Sequence, residues 1–218
     1  MIEFRSFGKI PRLFRDIVIT EKIDGANAAV GINFYSLDLP ADYPMPDRDI
    51  DCKFVDRGGR DVNGMVNYAV VYAQSRKRVI TPEKDNHGFA RWVWDNAESL
   101  VNDLGEGLHF GEWWGSGVNR GYGLPKGEKR FSLFNVKRWS FQQEIPFKTP
   151  GLGVVPVLYR GSFDTGVIRV ELDKLESFGS SAAPGFNKPE GIVVYHTAGN
   201  TLFKATIEND AQPKSVAA

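Results

Sequence analysis

The chain has 218 residues, of which 42% are hydrophobic and 12% aromatic, enough for a sizeable core and unlike a disordered composition. Lysine plus arginine equals aspartate plus glutamate at 27 each, so net charge gives no general drive toward nucleic acid or an anionic membrane, and a nucleic-acid partner needs a local basic patch. The single cysteine, Cys52, excludes an intramolecular disulfide, the three histidines fall in no zinc spacing, and no apolar run reaches the roughly 18 residues of a membrane span. With no secretory apolar core behind the basic N-terminus, the expected compartment is reduced and cytoplasmic.

In chain order, residues 16–22 (DIVITEK) and 26–34 (ANAAVGINF) are apolar-rich on either side of Asp24-Gly25 and read as a hairpin. Residues 37–50, with three prolines, read as a surface loop or insertion. Residues 64–73 (GMVNYAVVYA) predict a strand that runs into the basic segment QSRKR. Phe89, Val93, Ala97, Leu100, Val101 and Leu104 recur at helical spacing, which predicts an amphipathic helix over 88–104 with Gly105 as its stop. A short strand at 108–111 leads into a glycine-rich loop, GSGVNRGYG. Residues 131–139 and 154–161 read as strands, and 167–180 begins extended and turns into a short helix ending near Gly179. Residues 191–196 and 201–206 form a hairpin around Ala198-Gly199-Asn200, and the polar tail after Glu208 frays. With no internal repeat and no linker, the pattern predicts one α+β domain over residues 1–218, with antiparallel sheets and flanking helices.

Lys22 stands at the bend after the first strand. Desolvation at an apolar strand end disfavours an ammonium and makes a nucleophilic amine available near neutral pH. Four residues alone leave open a plain surface lysine at a hairpin tip. His109 and Glu112 lie three apart on a strand and face opposite ways, which argues against a metal pair. Trp92, Trp94 and Trp139 read as core. Lys126, Lys129, Arg130, Lys137 and Arg138 form either a patch for an RNA backbone or a solvated face.

Six short elements follow one another from about residue 16 to 206. They are Lys22-Ile23-Asp24-Gly25, Gln74-Ser75-Arg76, Phe110-Gly111-Glu112, FSLFNV at 131–136, EGIVV at 190–194, and Leu202-Phe203-Lys204. In this order they resemble the covalent nucleotidyltransferases: ATP-dependent DNA and RNA ligases and mRNA-capping enzymes. The resemblance implies an ATP-grasp-like nucleotidyltransferase fold. It makes Lys22 the nucleophile that forms a lysyl-AMP, with Glu21, Ile23 and Asn27 around the nucleotide. Arg76 and Glu112 would contact the ribose, and Phe134 would stack on adenine, with Phe131 as the fallback. Glu190 would serve a magnesium or manganese ion, and Lys204 would meet the α-phosphate. On the residues alone, Arg76 could equally be a solvated charge, Phe134 an inward core residue and Glu190 a turn acid.

Glu21-Lys22-Ile23-Asp24-Gly25-Ala26-Asn27 resembles the E-K-x-x-G-x-N pattern of RNA ligase 2-like enzymes, whereas DNA ligases usually carry arginine where Asn27 stands. Two features depart from the family pattern. Leu202 occupies the first position of a usual K-x-K element, and the twelve residues after Thr206 leave no room for an OB or helical C-terminal domain. The expected function is an ATP-dependent RNA ligase that joins 5′-phosphate and 3′-hydroxyl ends, as in RNA repair by compact phage-like ligases. The alternatives are a DNA nick ligase, a capping guanylyltransferase, and a nucleotide- or RNA-binding module without full sealing activity. Expected partners are RNA or DNA ends and no membrane; nothing in the sequence sets the oligomeric state.

Overall fold

Ile17, Ile19 and Glu21 are buried and alternate with more exposed neighbours, the period-two signature of a strand with one face in a core. The computed structural model describes residues 3–40, 47–60, 63–143 and 145–208. Part of the expected loop at 37–50, residues 41–46, lies outside the described residues, as does the expected frayed tail from residue 209 onward. In chain order the elements are β1 (Asp16–Lys22), β2 (Ala26–Leu37), β3 (Lys53–Arg60), β4 (Val66–Ser75), β5 (Val79–Ile80), α1 (Phe89–Asp95), α2 (Ala97–Leu104), β6 (Gly107–Gly115), β7 (Lys129–Leu133), β8 (Leu152–Val154), β9 (Val157–Ser162), α3 (Thr165–Phe178), β10 (Gly191–His196) and β11 (Thr201–Thr206). The architecture is α+β with mostly antiparallel sheets and three α-helices, as expected from sequence. No helix among the described residues is long and apolar enough to cross a membrane.

The chain forms two compact units, one of them drawn from both ends of the sequence: Met1–Ile23 with Pro156–Ala218, and Asp24–Val155 between them. The terminal unit holds a four-stranded sheet in the order β11-β10-β1-β9. One face of it packs Ile17, Ile19, Ile192 and Val194 against Val167, Ile168, Leu172 and Leu175 of α3. The central unit holds a seven-stranded sheet in the order β3-β4-β2-β6-β7-β8, with β5 paired to β4; β7 and β8 run parallel. Its core gathers Val30, Ile32, Val71 and Leu133 from the sheet with Phe89, Val93, Leu100 and Leu104 from α1 and α2. At its centre Phe89, Trp92, Trp113 and Phe131 meet at ring-centroid distances of 5.0–5.8 Å. The indole N–H groups of Trp92 and Trp113 donate to Pro150 O and His87 O, both at 3.0 Å, so these large side chains bury no unpaired donor.

The expected hairpin around Asp24-Gly25 is not formed. β1 pairs with β9 and β10, and β2 pairs with β4 and β6. A tight hairpin needs positive φ at its central residues, and neither Asp24 nor Gly25 has it. Gly25 is required for space instead: a Cβ there would run into Trp113 O and stand 2.9 Å from Trp114 Cβ. The single helix over 88–104 is two helices broken at Asn96, whose amide side chain donates to Trp92 O at 2.8 Å and competes with the helical ladder. The strand expected at 131–139 stops at Leu133, because Asn135 Oδ1 accepts from Arg138 N at 3.1 Å and turns the chain. The strand expected at 154–161 is split at Val155-Pro156, since proline cannot donate to a ladder. The segment expected to begin extended is helical from Thr165, capped by Asp164, whose side chain accepts from Gly166 N at 2.6 Å. The hairpin β10–β11 forms as expected, with Asn200 at φ 47° in its turn.

Phe131 is fully buried at the centre of the four-ring cluster. Phe131→Ala is expected to lower unfolding free energy by about 3–5 kcal/mol. Urea denaturation of parent and variant measures this, and a loss below about 1 kcal/mol would contradict the packing described.

Candidate functional site

Lys22 is the last residue of β1 and lies opposite Gly191 in β10. Its Nζ donates to Glu190 Oε2 at 2.5 Å, an ion pair between residues 168 positions apart, with the two side chains 23% and 17% exposed. The register then orders the rest of the face. Lys22 aligns with Gly191 and Thr206, and Thr20 aligns with Val193 and Lys204. Alternation therefore puts Lys22, Thr20 and Lys204 on one face of the four-stranded sheet, with the α3-covered core on the other. By strand spacing, the backbones of the two lysines are roughly 12 Å apart, within reach of one phosphate chain for two long side chains. Gly191 is required here: at φ 153° any Cβ would press on Ala205 O and lie 2.8 Å from Thr206 Cα. Leu202, where the K-x-K pattern has lysine, is 67% exposed.

Glu21 and Ile23 flank Lys22 but are committed elsewhere. Glu21 is 1% exposed; its carboxylate accepts from Ser180 Oγ at 2.6 Å and Ala182 N at 2.9 Å. Burial raises its carboxyl above the ordinary value, while the hydrogen bonds from Ser180, Ala182 and Ser181 act against that rise. Ile23 is 4% exposed and belongs to the interior.

In the central unit, Asn27 of β2 lies opposite Glu112 of β6, which lies opposite Ser132 of β7. The next row holds Ala29 and Phe110, and Phe134 extends it by donating its N–H to Phe110 O at 3.0 Å. Asn27, Glu112 and Phe134 thus share one face of the seven-stranded sheet, opposite the core face of Val30, Trp113, Phe131 and Leu133. Phe134 is 39% exposed one residue past β7, which removes the reading of an inward core residue; Phe131 takes that place. Glu112 Oε1 accepts from Gly25 N at 3.0 Å. Arg76 is exposed in the turn just after β4, whose last residue, Ser75, lies opposite Ala28. That places it at the end of the strand beside Asn27.

The expected basic patch is partly engaged. Arg130 pairs with Glu128 at 2.6 Å, Lys129 Nζ donates to His87 O at 2.8 Å, and Arg138 donates to Leu104 O at 3.0 Å. His109 is buried, its Nε2 is 3.0 Å from Gly105 O, and desolvation lowers its pKa, so it serves packing. Asp24 is a residue that sequence reading passed over except as part of the K-x-D-G motif. Its carboxylate accepts from Asn119 and Arg120 of the glycine-rich loop. The signal was the loop's glycine content next to Phe110-Gly111-Glu112, but nothing in the sequence shows which residue such a loop touches.

No group of three His, Cys, Asp or Glu side chains at metal spacing exists among the described residues. Glu190 nevertheless fits a magnesium site of the kind held by one carboxylate together with substrate phosphates and water, since its oxygens are hard donors beside a sheet face carrying two lysines.

A raised carboxyl in the folded state means that the folded chain holds its proton more tightly than the unfolded chain. The Glu21 contribution is therefore most favourable below the ordinary glutamate value near 4.3 and declines as pH rises through the raised value. Glu21→Gln cannot ionise, so its urea-derived stability relative to the parent is expected to improve steadily from about pH 4 to pH 8. A difference that does not change with pH would count against the buried carboxyl.

A search of curated proteins finds no match to this chain. A scan against models of known protein families matches the one described as RNA ligase over residues 15–206, nearly the whole chain and the full span of the six sequence elements. The chain belongs to the RNA ligase family.

Proposed function

We propose that the protein is an ATP-dependent RNA ligase that works through a covalent lysyl-AMP. The observation that carries this reading is the Lys22–Glu190 contact at 2.5 Å, on a sheet face that also bears Lys204. In the first step the Lys22 amine attacks the α-phosphorus of ATP. An N–P bond forms, the bond from that phosphorus to the bridging oxygen breaks, and pyrophosphate leaves with the electron pair. The amine gives up a proton, and the Glu190 carboxylate lies in hydrogen-bond reach to receive it. Lys204 would offset charge developing on the α-phosphate oxygens. Glu190 would hold a divalent ion, which supplies further charge neutralisation at phosphate oxygens when bound.

The nucleoside end calls on the other sheet. Phe134 would present its exposed ring to adenine, and Glu112, Arg76 and Asn27 would meet the ribose. In the second step an oxygen of a 5′-phosphate RNA end attacks the AMP phosphorus and releases Lys22. In the third, a 3′-hydroxyl attacks the activated 5′-phosphate, AMP leaves, and a phosphodiester is made. The family favours RNA ends over DNA ends, and Asn27 in place of arginine points the same way.

A second reading, adenylation or RNA binding without full sealing, is favoured by one observation: Leu202 is exposed where a second phosphate-binding lysine would stand. It differs in outcome only after the first step.

Incubation with α-labelled ATP and magnesium is expected to label the protein covalently, with release of pyrophosphate. Lys22→Ala is expected to abolish the label, and Glu190→Ala to reduce it at least about a hundredfold. A label that survives Lys22→Ala would sink the proposal. A labelled protein that joins neither nicked RNA nor nicked DNA ends would establish the second reading instead.

A further inference from the structure

The polar atoms of Asp24 and Gly25 are engaged to a degree that a simple turn does not need. Asp24 N donates to Tyr122 Oη at 2.9 Å. Asp24 Oδ1 accepts from Asn119 Nδ2 at 2.9 Å and Oδ2 accepts from Arg120 Nε at 3.1 Å. Gly25 O accepts from Asn119 Nδ2 at 2.6 Å, and Gly25 N donates to Glu112 Oε1 at 3.0 Å. Three of the partners come from the loop 117–123, and the loop is bent to supply them. Asn119 and Tyr122 hold positive φ, 43° and 51°, in the region that side chains rarely adopt. Such strain persists only where the surroundings over-determine it, and it gathers at functional sites. Here the surroundings do so: Val118 is fully buried, Tyr122 is 2% exposed, and its ring lies edge-on to Trp114 at 5.3 Å.

We propose that Asn119, Arg120 and Tyr122 are positioning residues for Lys22. They fix Asp24 and Gly25, and so fix the direction in which the chain presents the lysine amine two residues upstream. The inference rests on the adenylation reading and deepens it. A freely swinging backbone after Lys22 would spread the amine over many approach directions, whereas attack on phosphorus needs one line of approach. The carboxylate of Asp24 thereby has a role distinct from chemistry: it is the handle by which the loop grips the motif. Tyr122 grips the backbone directly, so removing its hydroxyl alone tests the grip without disturbing the packing of its ring.

Asn119→Ala, Arg120→Gln and Tyr122→Phe are to be compared with the parent in two assays. The first is covalent labelling from α-labelled ATP. The second is the sealing of an RNA whose 5′ end already carries AMP, a reaction in which Lys22 is not the nucleophile. Labelling is expected to slow roughly tenfold or more in each variant, while sealing of the pre-adenylated end stays within about threefold and the melting temperature holds. Arg120→Lys is expected to recover part of the labelling rate, since it keeps a cation near Asp24. Unchanged labelling in all three variants overturns the proposal. So does a parallel fall of both reactions with the melting temperature, which would make the loop a support of the fold only. A parent protein that takes no label overturns the adenylation reading itself, and the positioning proposal with it.

Discussion

Glu21 enters the interior on a strand whose other inward residues are Ile17 and Ile19, and it is accepted there because Ser180 Oγ and Ala182 N donate to it at 2.6 and 2.9 Å. That arrangement constrains everything that follows on β1. A strand has only two faces, so with Glu21 turned inward Lys22 must turn outward, away from α3 and toward the face that carries Lys204. A slip of one residue would exchange the two, burying an ammonium among isoleucines and exposing the acid. The hydrogen bonds to Glu21 thus guard the register that gives Lys22 its neighbours, although burial itself works against the charged carboxylate.

The same two-faced logic organises the central unit. One face of its sheet is spent on the cluster of Phe89, Trp92, Trp113 and Phe131. The opposite face is left to Asn27, Glu112 and Phe134, residues too polar or too exposed to have been chosen for packing. Each unit therefore divides labour between its faces, with apolar residues holding one and chemistry-bearing residues set on the other. Chemical roles divide between units as well: cations and a carboxylate suited to phosphates on the smaller sheet, an aromatic and polar side chains suited to a nucleoside on the larger.

How much of this was legible varies with the kind of signal. Lys22, Glu112, Glu190 and Lys204 could be named from ordered short motifs, because each needs a fixed residue type at a fixed place in the chain. Glu21 was named too, but as a residue beside the base; its attachment to Ser180 and Ala182 spans 159 and 161 positions and has no local sequence mark. The hairpin at Asp24-Gly25 was misread because glycine serves two needs, positive φ or absence of a Cβ, and sequence does not say which; here Trp113 O and Trp114 decide for the second. The start of α3 was misread because Val167, Ile168 and Val170 favour strands locally, while the cap at Asp164 and burial of one stripe against the sheet favour a helix.

By itself, the sequence determined the α+β class, the reach of the family from residue 15 to 206, and which residue types were available for phosphate and nucleoside chemistry. Local spacing suffices for those, since alternation, caps and motifs act over a few residues. Only the tertiary structure decided which residues meet. It paired Lys22 with Glu190 across 168 positions, set Lys204 on the same face through the strand between them, and brought Asn119, Arg120 and Tyr122 onto Asp24 and Gly25. Those meetings depend on strand register and on close packing between distant segments, and neither is encoded in any short window of the chain.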